Sequence, residues 1–461
     1  HLGATAIPFV PHRLRDGYDL SEAGVRAAVS AGARVLVTCD CGTTAHGPVN
    51  DLRRLGIDVI ISDHHLPAQA PPECVAVLNP RVPGCDYPDK DLCAAGVAYK
   101  LAIALLEHFN ASPNVAYHML DLVALATVAD VAPLRGENRI LVRYGLRLLA
   151  ETRNVGLRAL IAAAGLEGKE LTAGRIGFIL APRLNAVGRI GEAQRGIELL
   201  MTEDASEANA IARELEEINR TRQAIDRETL EAARKLAATC DLDGIAGLVL
   251  AAEGWHPGVI GIVASRLVEE LYRPVVLIAV ENGVGKGSGR SIPAFDLHAG
   301  LTACQDLLVR YGGHRAAAGL TVEADRIPAL AERFNAVARE RLTSDDLTPE
   351  LRVDVELPLS AANEDLEALL RHFEPFGVGN PAPLLVSRAV TLAAPPRVIG
   401  QNGLKLRLRD ASTELEGVWW GAAERAAEWP ANSMVDVAYR LERDLWKDTS
   451  RLVARLVDMR A

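Results

Sequence analysis

The sequence predicts an α/β protein in which a parallel-sheet domain and a second α/β domain are joined by a long helix and followed by a small β-barrel. Three observations predict it. Two apolar runs, Val35-Leu36-Val37-Thr38 and Val59-Ile60-Ile61-Ser62, bracket a helix-like stretch, the pattern of a βαβ unit. Residues Ala205 to Ala238 contain neither Gly nor Pro and are rich in Ala, Glu, Arg and Leu. After Pro383 the pattern changes to short alternating strands separated by turn residues.

Taken in order, the first strand runs into Cys39-Asp40-Cys41-Gly42, and Val49-Asn50-Asp51-Leu52-Arg53-Arg54-Leu55 forms the crossover helix. The next strand runs into Asp63-His64-His65. Parallel pairing through that helix places Asp40 beside Asp63 and His64, at the carboxyl edge where open α/β sheets keep their chemistry. Asp130 ends the apolar run Leu125-Ala126-Thr127-Val128-Ala129 and adds a carboxylate at a helix end. Taken singly, each residue also fits a helix cap or a hydrogen-bonded core side chain; together they suit Mn2+ or Mg2+ better than a structural zinc, which favours thiolates.

Residues 1–203 read as alternating strands and helices. The segment Ala205 to Ala238 reads as one helix of about 50 Å, a spacer between lobes with its charged residues in solvent. A second α/β domain spans 241–345, from Gly247-Leu248-Val249-Leu250-Ala251 through a helix at Val259 to Leu271, a strand at Val275 to Ala279 and a helix near Pro328 to Leu342. Glu374 to Pro383 reads as a linker-like turn inside the last domain, 346–461. There the strands are Val386 to Thr391, Leu404 to Leu408, Leu415 to Trp420 and Met434 to Tyr439. Trp419, Trp420, Tyr439 and Trp446 could stack bases beside Lys405, Arg407 and Arg409, although adjacent Trp419 and Trp420 must point oppositely in a strand, leaving one for the core.

A length of 461 residues suits about three domains, and 49% apolar with 24% charged residues fits a globular chain. No apolar stretch reaches the roughly 18 residues of a membrane span, and no signal peptide is visible. Seven cysteines without paired CxxC spacing fit reduced thiols in a cytoplasmic protein, and Cys39 and Cys41 read as packing groups. A net charge of −10 argues against phosphate binding over the whole surface, so local clusters decide. Arg175, Arg183, Arg189 and Arg195 fall in one segment. Lys286, Arg290 and Arg315 lie near Gly287-Ser288-Gly289-Arg290-Ser291 and Gly312-Gly313-His314, read as turns whose amides can approach an anion.

These motifs carry a resemblance. Thr38-Cys39-Asp40-Cys41-Gly42, Ser62-Asp63-His64-His65, Ala126 to Val131 and Gly312-Gly313-His314-Arg315-Ala316-Ala317-Ala318-Gly319 resemble the DHH phosphoesterase superfamily with its DHHA1 partner domain, across essentially the whole chain. Pro182-Arg183-Leu184-Asn185-Ala186-Val187-Gly188-Arg189 and Trp255 to Leu267 resemble its bacterial branch of single-stranded-DNA exonucleases. The resemblance implies a DHH domain over 1–203, a connecting helix over 204–240, a DHHA1 domain and a terminal OB fold that binds nucleic acid. It implies two divalent ions, Mn2+ or Mg2+, with Asp40 bridging and His64 and Asp130 as further metal ligands. His65 would contact the scissile phosphate, Asp63 would orient the imidazoles, and His314 would reach the phosphate as the DHHA1 lobe closes. Arg13, Arg189 and Ser291 match positions for a terminal 5′ phosphate, and Arg183, Asn185, Ser288, Arg290, Gly312 and Gly313 complete the substrate-binding set.

The implied activity is 5′ to 3′ exonuclease action on single-stranded DNA in repair and recombination, by a cytoplasmic monomer that works with a single-strand-binding protein and a helicase. One departure stands out. The family opens with a strand ending in an Asp-x-Asp-Gly type motif and nothing before Asp40 resembles it; residues 1–20 resemble instead the family's second strand and its following loop, and the chain starts at His1, so a fragment that has lost its first strand and helix, with an incomplete two-metal site, is expected. Competing readings are an inactive single-strand-binding scaffold, a phosphoesterase of short oligonucleotides, and a mononucleotide phosphatase. The OB-like segment disfavours the second, clustered carboxylates disfavour the first, and a closed short pocket would favour the third.

Overall fold

The computed structural model describes residues 2–12, 16–17, 19–67, 69–411, 413–446 and 449–461. Its contacts divide the chain into two compact units: His1–Leu78, Glu151–Glu170 and Phe178–Glu350 form the first, and Asn79–Ala150, Leu171–Gly177 and Leu351–Ala461 form the second. These divisions differ from boundaries at 203, 240 and 345, because the long helix is packed into the first unit and because the terminal barrel shares a unit with residues 79–150.

In the first unit, β1 (Val35–Cys39), β2 (Asp58–Ser62) and β3 (Ala76–Leu78) form a parallel sheet in that order. The crossover helix α2 (His46–Arg54) follows α1 (Glu22–Ser30), and its Val49 and Leu52 pack on Val59 and Ile61 in one core. That apolar contact fixes which face of each strand is buried, and hence the register Cys39 opposite Ser62. Residues 2–12 form no strand, contrary to expectation; Ile7 and Phe9 are exposed, and among the described residues no neighbouring strand supplies a hydrogen-bond ladder.

Strand alternation also stops at Leu78. From there to residue 203 the described residues are helical or irregular, including α3 (Ala94–His108), α4 (Leu120–Ala129), α5 (Gly136–Ala150), α6 (Val155–Ala163) and α7 (Ala181–Ile190). The apolar run that ends at Ala129 is a buried helix with little amphipathic asymmetry.

The predicted long helix is α8 (Ala205–Ala238), and Asp204 caps it by accepting from the amides of Ser206 and Glu207. Most of its charged residues face solvent, as expected, but Arg222 and Asp226 are buried and its apolar face is packed. Ala208, Ile211, Ala212 and Leu215 are buried towards its start, and Leu230, Ala233 and Ala237 join the core beneath the second sheet. Midway, buried Asp226 receives Arg266 at 2.9 Å and Arg222 at 3.8 Å, tying α8 to α9 (Ile260–Leu271).

The second sheet runs β4-β5-β6-β8-β7, from β4 (Leu248–Glu253), β5 (Val275–Glu281), β6 (Val284–Arg290), β7 (Arg310–Gly313) and β8 (Ala317–Glu323), with only β4 and β5 parallel. Helix α10 (Ile327–Arg341) follows. The glycines expected to form an anion-cradling turn belong to β6 instead, and its backbone is paired with strands on both sides. A Cβ at Gly285, Gly287 or Gly289 would lie 2.6 Å from Ile278, 2.6 Å from Leu320 and 2.9 Å from Leu297 respectively, so these glycines serve close core packing.

In the second unit, β9 (Val355–Glu356) and β11 (Arg397–Ile399) flank a closed circuit of β10 (Leu385–Leu392), β12 (Gly403–Asp410), β13 (Thr413–Trp420), β15 (Thr449–Arg460) and β14 (Met434–Trp446). Closure through the β10–β12 pairing leaves no long free edge in the circuit. Trp419 and Tyr439 are core residues of the barrel, while Trp420 is half exposed with the Arg455 guanidinium 6.0 Å from its ring. The side chain of Trp446 lies outside the described residues. Lys405 and Arg407 are paired across the ladder with Glu416 and Glu414, so the expected basic groove is largely neutralised there.

Candidate active site

Strand pairing continues into the residues that carry the chemistry. The Asp40 amide donates to the Ser62 carbonyl, and the Asp63 amide donates to the Leu78 carbonyl, each at 3.0 Å. Asp40 therefore emerges beside His64, whose Nε2 lies 3.0 Å from Asp40 Oδ1. Donor atoms of Asp40, His64 and His65 lie within 4.8 Å of one another.

Asp63 sits behind this cluster, 1% exposed. Its Oδ1 accepts from the amides of His64 and His65 and from His65 Nδ1 at 2.7 Å, while its Oδ2 accepts from the Thr43 amide. Burial opposes ionisation, yet these bonds from His65, Thr43 and His64 outweigh it and hold the carboxyl well below the usual carboxylate range. With Nδ1 engaged as a donor, His65 presents Nε2 as its lone-pair nitrogen, the arrangement by which a carboxylate fixes a ligand imidazole.

The turn itself passes through left-handed backbone at Asp40, φ 68°, a conformation that Asp tolerates. It is braced by Thr38, whose hydroxyl donates to the Cys41 carbonyl and accepts from the Ser62 amide. Gly42, φ 106°, has no room for a Cβ, which would fall 2.9 Å from Thr38 Oγ1. Asp19 was missed by sequence reasoning: its carboxylate accepts from the Gly42 amide at 2.7 Å and from the Thr44 hydroxyl at 3.0 Å. The Asp-Gly-Tyr-Asp setting gave no signal that this side chain reaches a turn more than twenty residues on. The Cys41 thiol is pushed up to about 12 by burial and then by nearby carboxylates, so it stays protonated.

One carboxylate and two imidazoles, open to solvent at half-exposed Asp40, fit a divalent ion of the Mn2+ or Mg2+ kind. Asp130 belongs to the second unit, where it caps the end of α4. The next residue, Val131, has φ 59°, an outlying conformation for a β-branched side chain and a cost of order 1–3 kcal/mol.

The remaining residues fall into three groups. Arg189 Nη1 donates to the Gly258 carbonyl and lines a cavity of about 190 Å³ with His12, Glu192 and His256. Ser288 and Arg290 project from β6 towards the same N-terminal turn of α9: a Cβ at Gly261 would lie 2.8 Å from Ser288 Oγ and 3.1 Å from Arg290 Nη2. Arg290 bonds Ser288 Oγ and the Gly289 carbonyl, has no carboxylate partner among the described residues, and is pulled down in pKa by burial. His256 is also pulled down by burial, and its Nδ1 accepts from the Gly258 amide.

A second group makes structural ties. Arg183 is bound by Glu216 and the Ile179 carbonyl, and Arg195 by Glu214 and Glu198, linking the α7–α8 region. The Ser291 hydroxyl donates to the Phe295 carbonyl. A third group is exposed: Asn185 on α7, Gly312, Gly313 at φ 143°, and His314, whose amide donates to the Ala317 carbonyl. Arg13 lies outside the described residues.

The chain matches the DHH family, N-terminal domain, over residues 1–127, the DHHA1 domain over 244–340 and the RecJ OB domain over 353–458. It is 38% identical over 469 residues to the single-stranded-DNA-specific exonuclease RecJ of Escherichia coli (strain K12), covering 96% of this chain and 80% of that protein. It is 37% identical to the protein of that name from Bacillus subtilis (strain 168), spanning 56% of its length and 96% of this chain. The crystal structure of RecJ in complex with Mn2+ from Thermus thermophilus superposes with a TM-score of 0.82 at 34% identity, covering 95% of this chain and 63% of that one.

Proposed function

This chain belongs to the RecJ family, and on that premise we propose that it is the nuclease portion of a divalent-metal-dependent exonuclease acting on single-stranded DNA in the 5′ to 3′ direction. The observation that carries the proposal is the Asp40, His64 and His65 cluster held from behind by buried Asp63. A divalent ion bound there supplies charge to neutralise a phosphodiester and to lower the pKa of a water nucleophile. Asp40 and His64 would hold it, and the family resemblance adds Asp130. Asp63 fixes the His65 tautomer, which would make Nε2 the nitrogen able to meet a proton or an ion.

Arg290 supports the choice of a phosphate-bearing substrate, because a partly buried guanidinium whose partners among the described residues are neutral is stabilised by an incoming anion. Arg189 reaches the same turn of α9, which favours a terminal phosphate subsite there, with Arg13 and Ser291 as further members by resemblance. The half-exposed Trp420 beside Arg455 suits base stacking on the barrel. His314 and the exposed Gly312-Gly313 end of β7, at the edge of the second sheet, and exposed Asn185 on α7 are proposed to meet the DNA strand. Work as a cytoplasmic monomer beside a single-strand-binding protein and a helicase rests on the resemblance alone; among the described residues, no helix is long and apolar enough to cross a membrane.

Degradation by the full-length protein with Mn2+ tests the proposal. Strands labelled at the 3′ end and phosphorylated at the 5′ end should be shortened progressively from the 5′ end, while blunt duplex persists. Equal attack on duplex, or release of the 3′ label first, overturns it.

A further inference from the structure

We propose that the loop 372–380 is a positioning element for the Asp130 carboxylate, an inference that rests on reading Asp130 as a metal ligand. The turn after Asp130 needs outside support. Val131 adopts left-handed backbone, the Val131 amide donates to the Val128 carbonyl, and the Ala132 amide donates to the Thr127 carbonyl, closing α4 with a β-branched residue where glycine is the usual choice. Such backbone persists only where its surroundings over-determine it.

The surroundings here come from the far end of the chain. The Leu134 amide donates to the Val378 carbonyl at 2.6 Å. Leu134 is 2% exposed, and a Cβ on Gly377 would lie 2.7 Å from its Cδ1. Gly379 has φ 74°, and a Cβ there would lie 2.9 Å from Arg135 Nε and 3.0 Å from Pro133 Cβ. Arg139 Nη2 donates to the carbonyls of His372 at 3.1 Å and Glu374 at 3.4 Å.

The loop is shaped before it docks. Asn380 Nδ2 donates to the carbonyls of Phe373 and Pro375, and Gly377 and Asn380 exchange backbone hydrogen bonds. What reads in sequence as a linker is a folded turn whose two glycines let it lie against Pro133, Leu134 and Arg135. A linker has no need of such close approach. A support for the strained turn does, and only three residues separate the docked Leu134 from Asp130.

The test compares Gly377→Ala, Gly377→Ala/Leu134→Val and Asp130→Asn in the full-length protein, reading Mn2+ affinity by calorimetry, kcat and KM on a 5′-phosphorylated oligothymidylate, and Tm. Positioning predicts that Gly377→Ala weakens Mn2+ binding by about tenfold and lowers kcat, with KM unchanged. Removing the Leu134 Cδ atoms should recover much of both. Unchanged Mn2+ affinity in folded Gly377→Ala, with Asp130→Asn impaired, overturns the positioning role. Unchanged Mn2+ affinity in Asp130→Asn overturns the ligand reading instead. Should Gly377→Ala fail to fold, Asn380→Ala loosens the same loop without a clash, and the same split decides.

Discussion

Asp40 and Asp130 each end a regular element, and each turn passes through left-handed backbone, at Asp40 itself and at Val131. The support differs. Around Asp40 the bracing groups are polar: Thr38, Gly42 and Thr43 from the turn itself, and two carboxylates of similar sequence separation on either side, Asp19 before the first strand and Asp63 after the second. Around Asp130 the conformation is borne by a β-branched residue, and the brace is a loop from the far end of the chain. One turn is held by several polar side chains, Thr38 beside it and the carboxylates of Asp19 and Asp63, that share the hydrogen bonding among them. The other depends on a contact with a segment far away in sequence.

The largest effect that would break this comparison is expected at the first turn. His64→Ala removes an imidazole donor next to Asp40, and its loss of Mn2+ affinity should exceed the roughly 100-fold upper end seen for outer partners. Calorimetric titration with Mn2+ checks it; a change below tenfold would remove His64 from the ligand set. Asp63→Asn should cost less, about 10–100-fold, by releasing the His65 tautomer while leaving the donors in place.

Asp63 also predicts a pH signature. Its folded pKa is depressed, so its contribution to stability is fully present above the unfolded value of about 4 and is lost as pH falls from there towards the folded value. Urea unfolding followed from neutral pH downwards should show a steep acid decline in the parent, and Asp63→Asn should flatten it. An unchanged acid limb in the variant would mean that other carboxylates carry that decline.

Much of the first turn is legible in the sequence. Two apolar runs with one crossover helix fix the strands, and period-two alternation then places Asp40 and Asp63 at matching ends. The barrel and the long helix are legible for similar local reasons, alternation in one and absence of Gly and Pro in the other. What local pattern hides is the partner of each surface. Gly287 and Gly289 look like turn residues because a glycine reports only that space is short, not whether an anion or Leu320 and Leu297 fill it. Gly377 and Gly379 mislead in the same way. Arg183 looks like a phosphate contact until Glu216, on a helix after it, takes its guanidinium. In the all-helical stretch after Leu78, the apolar run ending at Asp130 reads as a helix, whereas the rest reads as alternating strands and helices because short apolar runs fit either element.

The smallest effect is expected at Asp19, the brace that reaches the first turn from before the first strand, and it sharpens the comparison most directly. Asp19→Ala leaves the Gly42 amide and the Thr44 hydroxyl without this acceptor, but Thr38 and Asp63 still hold the turn on either side. Each lost bond is worth about 1 kcal/mol, and solvent can replace part of it because Thr44 is exposed. A Tm decrease of a few degrees with Mn2+ affinity changed by less than about threefold is therefore expected. Loosening the loop at Asn380 should instead move Mn2+ affinity more than Tm. If Asp19→Ala abolishes Mn2+ binding outright, the first turn shares its bracing no better than the second, and the distinction between a ligand turn held by several side chains and one held by a remote loop fails.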